Sequence, residues 1–439
     1  MKKVFSPKYI PVFIIFLALI IRIFSVSWNT APQGDIVEDS AAAASFYKNG
    51  TLQIEKYNPS EPVKPYIYSI EEKGGRFLIQ HPPIWPLLGA GLSYLLRLDA
   101  LPANTFFCFK ILSLLSGLAL IILSYLLAKK LVNQTAGLLI AAWLSFSYLM
   151  IDYSGNGAFY SLHAALYLLW ILTVLKKNLR GRLIYLGLIG GIGYLLNFQF
   201  LIVTLASIAV LLFEKESALP EQKPIIKKIK DISVVCLISL ITVLPWLIRN
   251  YLLFGDPLFS NYFAGTYIFQ HIGLSQYVKD DIIYFNHDFG TSWLILKSSL
   301  TSWLPHNLYY IARKLFILAP LAFIFFSFAI VDYVFNFERL KKWFPVILVL
   351  VLHILISAAW PITKFRYFVP ALPLVFLIAL DQIYNIKIKK LYRNLIIILI
   401  SVSILSLSFL TYRGTPGHTY YNDGAITTGP YGDRAGEEE

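Results

Sequence analysis

The chain has 439 residues, of which 57% are hydrophobic and only 14% are charged, and its mean hydropathy is +0.63. Soluble domains average roughly 45–50% apolar and about 25% charged residues, so this composition excludes an ordinary soluble enzyme, and its hydrophobicity excludes a disordered chain. The net charge of +13 comes from 38 Lys and Arg against 25 Asp and Glu, and it indicates nucleic-acid binding only if membrane topology does not explain it.

Apolar runs of about 20 residues, long enough to cross a bilayer as a helix, recur along the chain. They predict an all-α polytopic membrane protein with about eleven transmembrane helices and a cytoplasmic N-terminus. The first run is interpreted as a retained helix and not as a cleaved signal peptide. The predicted helices cover residues 9–28, 106–128, 136–153, 161–175, 183–196, 198–213, 232–248, 315–334, 343–360, 368–383 and 395–412.

Two of these assignments depend on keeping the basic loops on one side of the membrane. Residues 183–213 are short for two crossings, so we expect a tight hairpin that turns near Asn197 to Gln199. Residues 82–98 are apolar but short, and a single crossing there would move every later basic loop outside. We therefore predict a juxtamembrane helix lying on the outer interface.

The Lys and Arg residues lie mainly in the loops predicted to be cytoplasmic. Those loops hold 21 Lys and Arg in 57 residues, whereas the predicted outer segments hold 15 in 184 residues. Cytoplasmic enrichment of Lys and Arg sets the orientation of membrane proteins. The positive charge is therefore interpreted as an orientation signal, and we predict a multi-pass protein of the plasma or inner membrane.

The predicted organisation is a single transmembrane domain over residues 1–412, followed by a polar outer tail, 413–439. Two long outer segments, 29–105 and 249–314, interrupt the helices, and both are rich in aromatic residues and proline. Arg22 lies within the first helix, where snorkelling towards the interface is favoured over a position inside the bundle. His353 lies in mid-span, either packed in its neutral form or functional.

Four sequence blocks at predicted outer ends of helices carry the residues that could do chemistry. The first is acidic and comprises Gly34-Asp35-Ile36-Val37-Glu38-Asp39. On local sequence alone these carboxylates could simply stabilise a helix N-terminus. The other three blocks are His81-Pro82-Pro83-Ile84-Trp85-Pro86, then Pro245-Trp246-Leu247-Ile248-Arg249-Asn250 running on to Gly255-Asp256-Pro257, and Lys364-Phe365-Arg366-Tyr367-Phe368-Val369-Pro370.

In order and spacing, the four blocks together resemble the GT-C glycosyltransferases that use polyprenyl-phosphate sugars. The resemblance is to the branch of dolichyl-phosphate-mannose protein mannosyltransferases and bacterial aminoarabinose transferases. It implies a GT-C-like fold with juxtamembrane helices in the long first outer loop. It also implies transfer of a sugar from the lipid phosphate to an acceptor hydroxyl on the non-cytoplasmic face, with inversion and a carboxylate base.

The resemblance implies a role for individual residues of these blocks. Asp35 is the candidate base, and Glu38 is expected to orient the acceptor or a metal ion, whereas Asp39 has no assigned counterpart and is expected at a helix start. Growing negative charge on a leaving phosphate calls for nearby cations, and Arg binds phosphate bidentately. The candidates for that role are Arg249, Arg366 and Lys364, each of which could instead be an interface anchor.

The second outer loop departs from the family pattern. Gly155 stands where the family commonly has arginine after Tyr-Ser, and Tyr160 stands near the expected acid, for which Asp152 could substitute. A divalent metal ion is left open, with Glu38, Asp152 and His287 as weak candidate ligands. Further site candidates are His81 and Tyr367.

The predicted partners are a polyprenyl-phosphate-linked sugar, membrane lipids and an acceptor that is a lipid, a glycan or a protein, and nucleic acid is not expected. The alternative functions are a secondary transporter or flippase, or a related glycan polymerase or ligase. Transporters place ionisable groups at mid-membrane and often contain inverted repeats. Here the acids and arginines cluster towards one face and no repeat is evident, which favours the enzyme.

Overall fold

A computed structural model of the protein describes residues 9–26, 28, 35–55, 70–72, 76–78, 82–214, 224–254, 257, 278–279, 282–283, 297, 299–359 and 365–414. Within these ranges the chain is nearly all helical, with fifteen α-helices. A helix lies over each of the eleven segments predicted from hydrophobicity, because each is a long apolar run with few helix breakers. The helix boundaries and the connections differ from the prediction in several places.

The N-terminal part contains α1 (Ile10–Ser25), α2 (Asp35–Asn49) and α3 (Ile84–Leu95). The last two are the helices expected in the first outer loop. Between them lies a small antiparallel sheet in which the third strand pairs with both others, an element that the all-α prediction did not contain. Each strand is only three residues long, too short for its alternation to be recognised in sequence. The strands are β1 (Gln53–Glu55), β2 (Ile70–Glu72) and β3 (Arg76–Leu78).

The next six helices form the first half of the bundle. They are α4 (Pro102–Leu131), α5 (Gln134–Phe146), α6 (Tyr148–Asp152), α7 (Tyr160–Val174), α8 (Arg182–Leu196) and α9 (Leu201–Phe213). The segment predicted as one helix over 136–153 is divided at Ser147, whose backbone is extended. Between α8 and α9 a short 3-10 turn, Phe198–Phe200, occupies the position predicted for the tight hairpin.

The second half contains six helices and a second, two-stranded sheet. These elements are α10 (Pro224–Phe254), β4 (Val278–Lys279), β5 (Ile282–Ile283), α11 (Leu304–Leu318), α12 (Pro320–Phe335), α13 (Phe337–Ala358), α14 (Leu372–Asn385) and α15 (Lys390–Gly414). The outer segment predicted over 249–314 is partly helical, because α10 continues past residue 249 and α11 begins before residue 314. A π-helical turn, Ser299–Trp303, precedes α11, and a 3-10 turn, Phe365–Phe368, precedes α14.

Among the described residues, four helices are long and apolar enough to cross a membrane: Pro102–Leu131, Ile225–Leu252, Phe337–Ala358 and Lys390–Phe409. Several others are apolar but between 10 and 17 residues long. This composition is that of a multi-pass membrane protein. The number of crossings and their orientation stay predictions.

Helix α14 lies at the centre of the bundle. Nine consecutive residues, 372–380, are buried, and the helix contacts α4, α5 and α12. A helix that is apolar on every side is expected to be surrounded by protein. Because the Phe365–Phe368 turn leads directly into α14, the turn is attached to one of the most deeply packed elements of the fold.

Arg22 is buried inside the bundle, so the expected snorkelling is wrong. Its guanidinium donates to the carbonyl oxygens of Ala18 at 3.3 Å, Leu144 at 3.1 Å and Ser145 at 3.4 Å. The last two lie at the C-terminal end of α5, where helix carbonyls have no partner within the helix. The arginine therefore supplies donors that α5 lacks.

A second set of charged residues ties together the opposite end of the bundle. Arg339 donates from Nη2 to the buried Asp381 carboxylate at 2.6 Å and is also paired with Asp332. Tyr333 donates its hydroxyl to the same oxygen of Asp381 at 2.8 Å. The two aspartates thus hold α12, α13 and α14 together.

The α8–α9 hairpin predicts a specific effect of a small substitution. A Cβ at Gly193 would lie 2.0 Å from the buried Phe200 ring. We expect Gly193→Ala to lower the thermal unfolding midpoint in detergent, because overpacking typically costs about 1–3 kcal/mol. The matched control is Gly91→Ala in α3, where no atom lies within 4 Å and the added methyl should be neutral or stabilising. Equal midpoints for the two variants would contradict this packing.

Candidate active site

The acidic block lies at the start of α2, which its run of four alanines favours as a helix. Asp35 is the first residue of this helix, and its side chain lies outside the described part of the structure. Asp39, expected at a helix start, is the fifth residue of α2, and both Glu38 and Asp39 are buried, at 3% and 2% exposed. The reason is that α2 packs closely on its neighbours: the Ser40 carbonyl accepts the hydroxyl of Thr105, in α4, at 2.8 Å.

The second block forms the start of α3 and is anchored by Trp85. The buried indole donates from Nε1 to the carbonyl oxygen of Gly157 at 3.1 Å and stacks on the ring of Phe109 with 5.3 Å between centroids. This approach is possible because Gly89, one turn further along α3, has no side chain where the Phe109 ring lies. Helix α3 is therefore fixed to the loop before α7. His81 lies outside the described residues.

The loop over residues 153–159 is held by backbone and aromatic contacts. The carbonyl oxygen of Tyr153 accepts the hydroxyls of Ser113 and Ser161, each at 2.9 Å. The rings of Phe159 and Tyr160 stack at 4.5 Å, and Tyr153 meets Tyr160 edge-on at 5.6 Å. Tyr160 therefore has a fixed position at the first residue of α7. Asp152, the half-buried last residue of α6, precedes this loop.

Arg366 lies on the 3-10 turn before α14 and is only 6% exposed. Its guanidinium carbon lies 5.7 Å from the ring centroid of Tyr160 and 5.8 Å from that of Tyr367. Both distances are within the range of cation–π attraction. Tyr160, which is distant in sequence, thus lies in one cluster with Arg366 and its neighbour Tyr367. Lys364 lies outside the described residues.

Arg249 lies near the end of α10, beside the ring of Trp246. Its guanidinium carbon is 4.3 Å from the indole centroid, and Nη1 donates to the side-chain oxygen of Asn250 at 3.0 Å. Trp246 belongs to a small apolar cluster that includes Ala42 of α2 and, at its edge, Ile84 of α3. The arginine-bearing end of α10 is therefore packed against the acidic helix.

The described parts of the four blocks form one contiguous set of contacts. Trp246 connects α10 to α2 and α3, Trp85 connects α3 to the 153–159 loop, and Tyr160 connects that loop to Arg366. The set combines buried carboxyl groups with guanidinium groups held against aromatic rings. Such a combination can bind a phosphate through the guanidiniums and accept a proton at a carboxylate.

The metal prediction is not decided by this geometry. Among the described residues, no group of three or more His, Cys, Asp and Glu side chains could hold a metal ion. Neither Glu38 nor Asp152 therefore belongs to such a group of three within the described ranges, and His287 lies outside them. A divalent ion stays an open part of the prediction.

The sequence prediction missed the residues that join the blocks. Trp85, Trp246 and Asn250 stood in the quoted motifs, but no role was assigned to them. The signal for Trp85 was its place next to proline at the start of a helix, where a buried indole N–H needs a partner. Lys110 had no such signal; it is buried, donates to the Trp28 carbonyl oxygen at 3.2 Å and lies 4.2 Å from the Phe106 ring centroid.

A protein-family comparison and a structural comparison agree with the predicted resemblance and with the fold. Residues 80–248 match the family model described as dolichyl-phosphate-mannose-protein mannosyltransferase. No curated protein matches the chain. The predicted resemblance to GT-C glycosyltransferases is therefore confirmed by an independent model, which covers the second block and the first four residues of the third, Pro245 to Ile248.

Solved structures of two membrane glycosyltransferases share the fold. One is the archaeal oligosaccharyltransferase AglB from Archaeoglobus fulgidus, solved in complex with an inhibitory peptide and a dolichol-phosphate. Its sequence is 13% identical, its TM-score is 0.58, and the match covers 98% of this chain and 59% of AglB. ArnT from Cupriavidus metallidurans, bound to undecaprenyl phosphate, is 12% identical with a TM-score of 0.56, covering 93% and 66%. The chain thus spans less than two thirds of either relative, and at these identities the likeness establishes the GT-C-like fold.

The hydrogen bond from Trp85 predicts how strongly α3 is fixed. Trp85→Phe should lower the thermal unfolding midpoint, because it leaves the Gly157 carbonyl without this donor, at a cost of about 1 kcal/mol beyond the lost ring area. Trp343→Phe is the matched control, since that indole is equally buried and its N–H has no hydrogen-bond partner among the described residues. A midpoint lowered as much by Trp343→Phe would show that the hydrogen bond contributes nothing.

Proposed function

We propose that the protein is a membrane glycosyltransferase that moves a sugar from a polyprenyl phosphate to an acceptor hydroxyl on the non-cytoplasmic face. The observation that carries the proposal is the cluster in which Arg366, Tyr160 and Tyr367 meet. It connects, through the Trp85 anchor, to the helix that begins with Asp35. The two relatives of the same fold have dolichol-phosphate and undecaprenyl phosphate bound, which supports a lipid phosphate as the donor carrier.

The arginines would stabilise the leaving group. As the bond from the anomeric carbon to the phosphate oxygen breaks, the electron pair stays on the phosphate, whose negative charge grows. Cations held in place before the reaction stabilise this charge without reorganisation. Arg366 and Arg249, both positioned by aromatic rings, fit that task, and Lys364 would add a point charge.

Asp35 would act as the base. The acceptor oxygen forms a bond to the anomeric carbon on the face opposite the phosphate, and its proton passes to the Asp35 carboxylate. A single displacement of this kind inverts the anomeric configuration. Glu38, buried one helical turn further along α2, would orient the acceptor or a divalent ion, and no step of this scheme requires a metal ion.

The outer location of the reaction follows from the distribution of charge. The last turn of α4 contains Lys129 and Lys130, and the loop after α7 contains Lys176 and Lys177, whereas the candidate site lies at the opposite ends of those helices. Because Lys and Arg concentrate on the cytoplasmic side, the site is assigned to the outer face. Acceptors there would be lipids, glycans or proteins of the cell envelope.

Replacing the proposed base tests the reaction directly. In membranes supplied with a labelled polyprenyl-phosphate sugar, Asp35→Asn should reduce transfer by about 10²- to 10⁴-fold, the usual contribution of a general base. Asp99→Asn, an exposed carboxylate in the same outer segment, should leave transfer unchanged. Wild-type transfer by Asp35→Asn would remove this residue as the base. Transport in proteoliposomes without any lipid-linked sugar would favour the transporter instead.

The phosphate role of Arg366 is tested by binding. Arg366→Gln should weaken binding of polyprenyl phosphate by about 10- to 100-fold, the equivalent of one charged hydrogen-bonding partner. Arg366→Lys should recover only part of the affinity, because an ammonium lacks the bidentate geometry. The control is Arg180→Gln, in an exposed loop between α7 and α8. An unchanged dissociation constant for Arg366→Gln would exclude the arginine from the donor site.

A further inference from the structure

Beneath the cluster that contains Arg366 lies a buried polar contact that the proposed reaction does not use. His353, in α13, is 2% exposed, and its Nε2 lies 2.7 Å from the carbonyl oxygen of Tyr367. Its Nδ1 lies 3.2 Å from the hydroxyl of Tyr167, a fully buried residue of α7. The imidazole thus joins two helices to the turn that carries the arginine.

The geometry fixes the tautomer of the neutral ring. A carbonyl oxygen can only accept a hydrogen bond, so the proton must lie on Nε2 of His353. In the neutral ring Nδ1 is then an acceptor, which the Tyr167 hydroxyl satisfies as donor. The Tyr367 carbonyl therefore selects the tautomer, and the Tyr167 hydroxyl holds the ring in it by donating to Nδ1.

The backbone explains why the turn needs this donor. In a 3-10 turn the carbonyl of each residue accepts the N–H three positions later, as Arg366 accepts from Val369 at 3.3 Å and Phe368 from Ala371 at 3.1 Å. The residue three positions after Tyr367 is Pro370, which has no N–H. The carbonyl of Tyr367 therefore cannot accept the N–H three positions later, and the His353 N–H donates to it.

We propose that His353 is a positioning residue for the donor phosphate site, acting through Tyr367. Its N–H replaces the one that Pro370 removes and thereby fixes the turn on which Arg366 meets Tyr160. This inference rests on the proposed function. It adds a residue that touches neither the lipid phosphate nor the sugar but determines where the guanidinium stands.

A neighbouring histidine offers a matched control. His163 of α7 is equally buried, and its ring centroid lies 6.0 Å from that of His353. Neither of its nitrogens has a hydrogen-bond partner among the described residues. Replacement of His163 by phenylalanine therefore removes a buried imidazole from the same layer without removing a bond to the turn.

The test combines polyprenyl phosphate binding with hydrogen exchange of the full-length protein in detergent. His353→Phe should raise the dissociation constant by about 3- to 10-fold, the value of one lost hydrogen bond, and should speed exchange of the Val369 and Ala371 amides. His353→Gln should restore both properties, because a glutamine amide reaches the position of Nε2. His353→Asn, whose amide is one bond too short, should not, and His163→Phe should resemble wild type in both measurements.

The outcomes separate this inference from the function on which it rests. A wild-type protein that does not bind polyprenyl phosphate would overturn the proposed function. If the wild type binds polyprenyl phosphate and a folded His353→Phe variant shows the same affinity and the same amide exchange, only the positioning role is overturned. A purely structural role would lower the thermal unfolding midpoint of His353→Phe and of His353→Gln alike and leave affinity unchanged, which also overturns the inference.

Discussion

The arrangement of the candidate site depends on the position of one buried cation. Placing a guanidinium inside protein is costly unless the surroundings compensate for lost hydration. The rings of Tyr160 and Tyr367 attract Arg366, and in doing so they fix the start of α7 against the turn before α14. Since α14 is one of the most deeply packed helices of the bundle, this contact ties the 153–159 loop to the core of the fold.

Hydrophobic length was sufficient to predict where helices form. All eleven predicted segments contain helix, and the predicted hairpin turn coincides with the Phe198–Phe200 turn, where the Asn197 side chain accepts from the Gln199 N–H at 2.8 Å. These features depend on local composition, which a sequence displays directly. Strands of two or three residues and the break at Ser147 carry too little local signal to be recognised.

The site was predicted as a set of residues, whereas its connections were not. Which residues could bind phosphate or accept a proton follows from chemistry and from the family resemblance, but partners lie far apart in sequence. Trp85 donates to a residue 72 positions later, and His353 contacts Tyr167 across 186 positions. The burial of Arg22 could not be predicted for the same reason. Its acceptor carbonyls lie at the end of α5, and the sequence does not show that this end packs beside α1.

The burial of Arg22 has a consequence for biosynthesis. An arginine opposes insertion of an isolated helix, by up to about 2.5–3.5 kcal/mol at the helix centre and by less in the last turn, where Arg22 lies; its acceptors at the end of α5 lie 122 and 123 residues downstream. At synthesis rates of about 5–20 residues per second, these acceptors leave the ribosome roughly 6 to 25 seconds after α1. If α1 crosses the membrane as predicted, its arginine has to remain near the insertion machinery or at the lipid headgroups during that interval, because its acceptors are made only with α5.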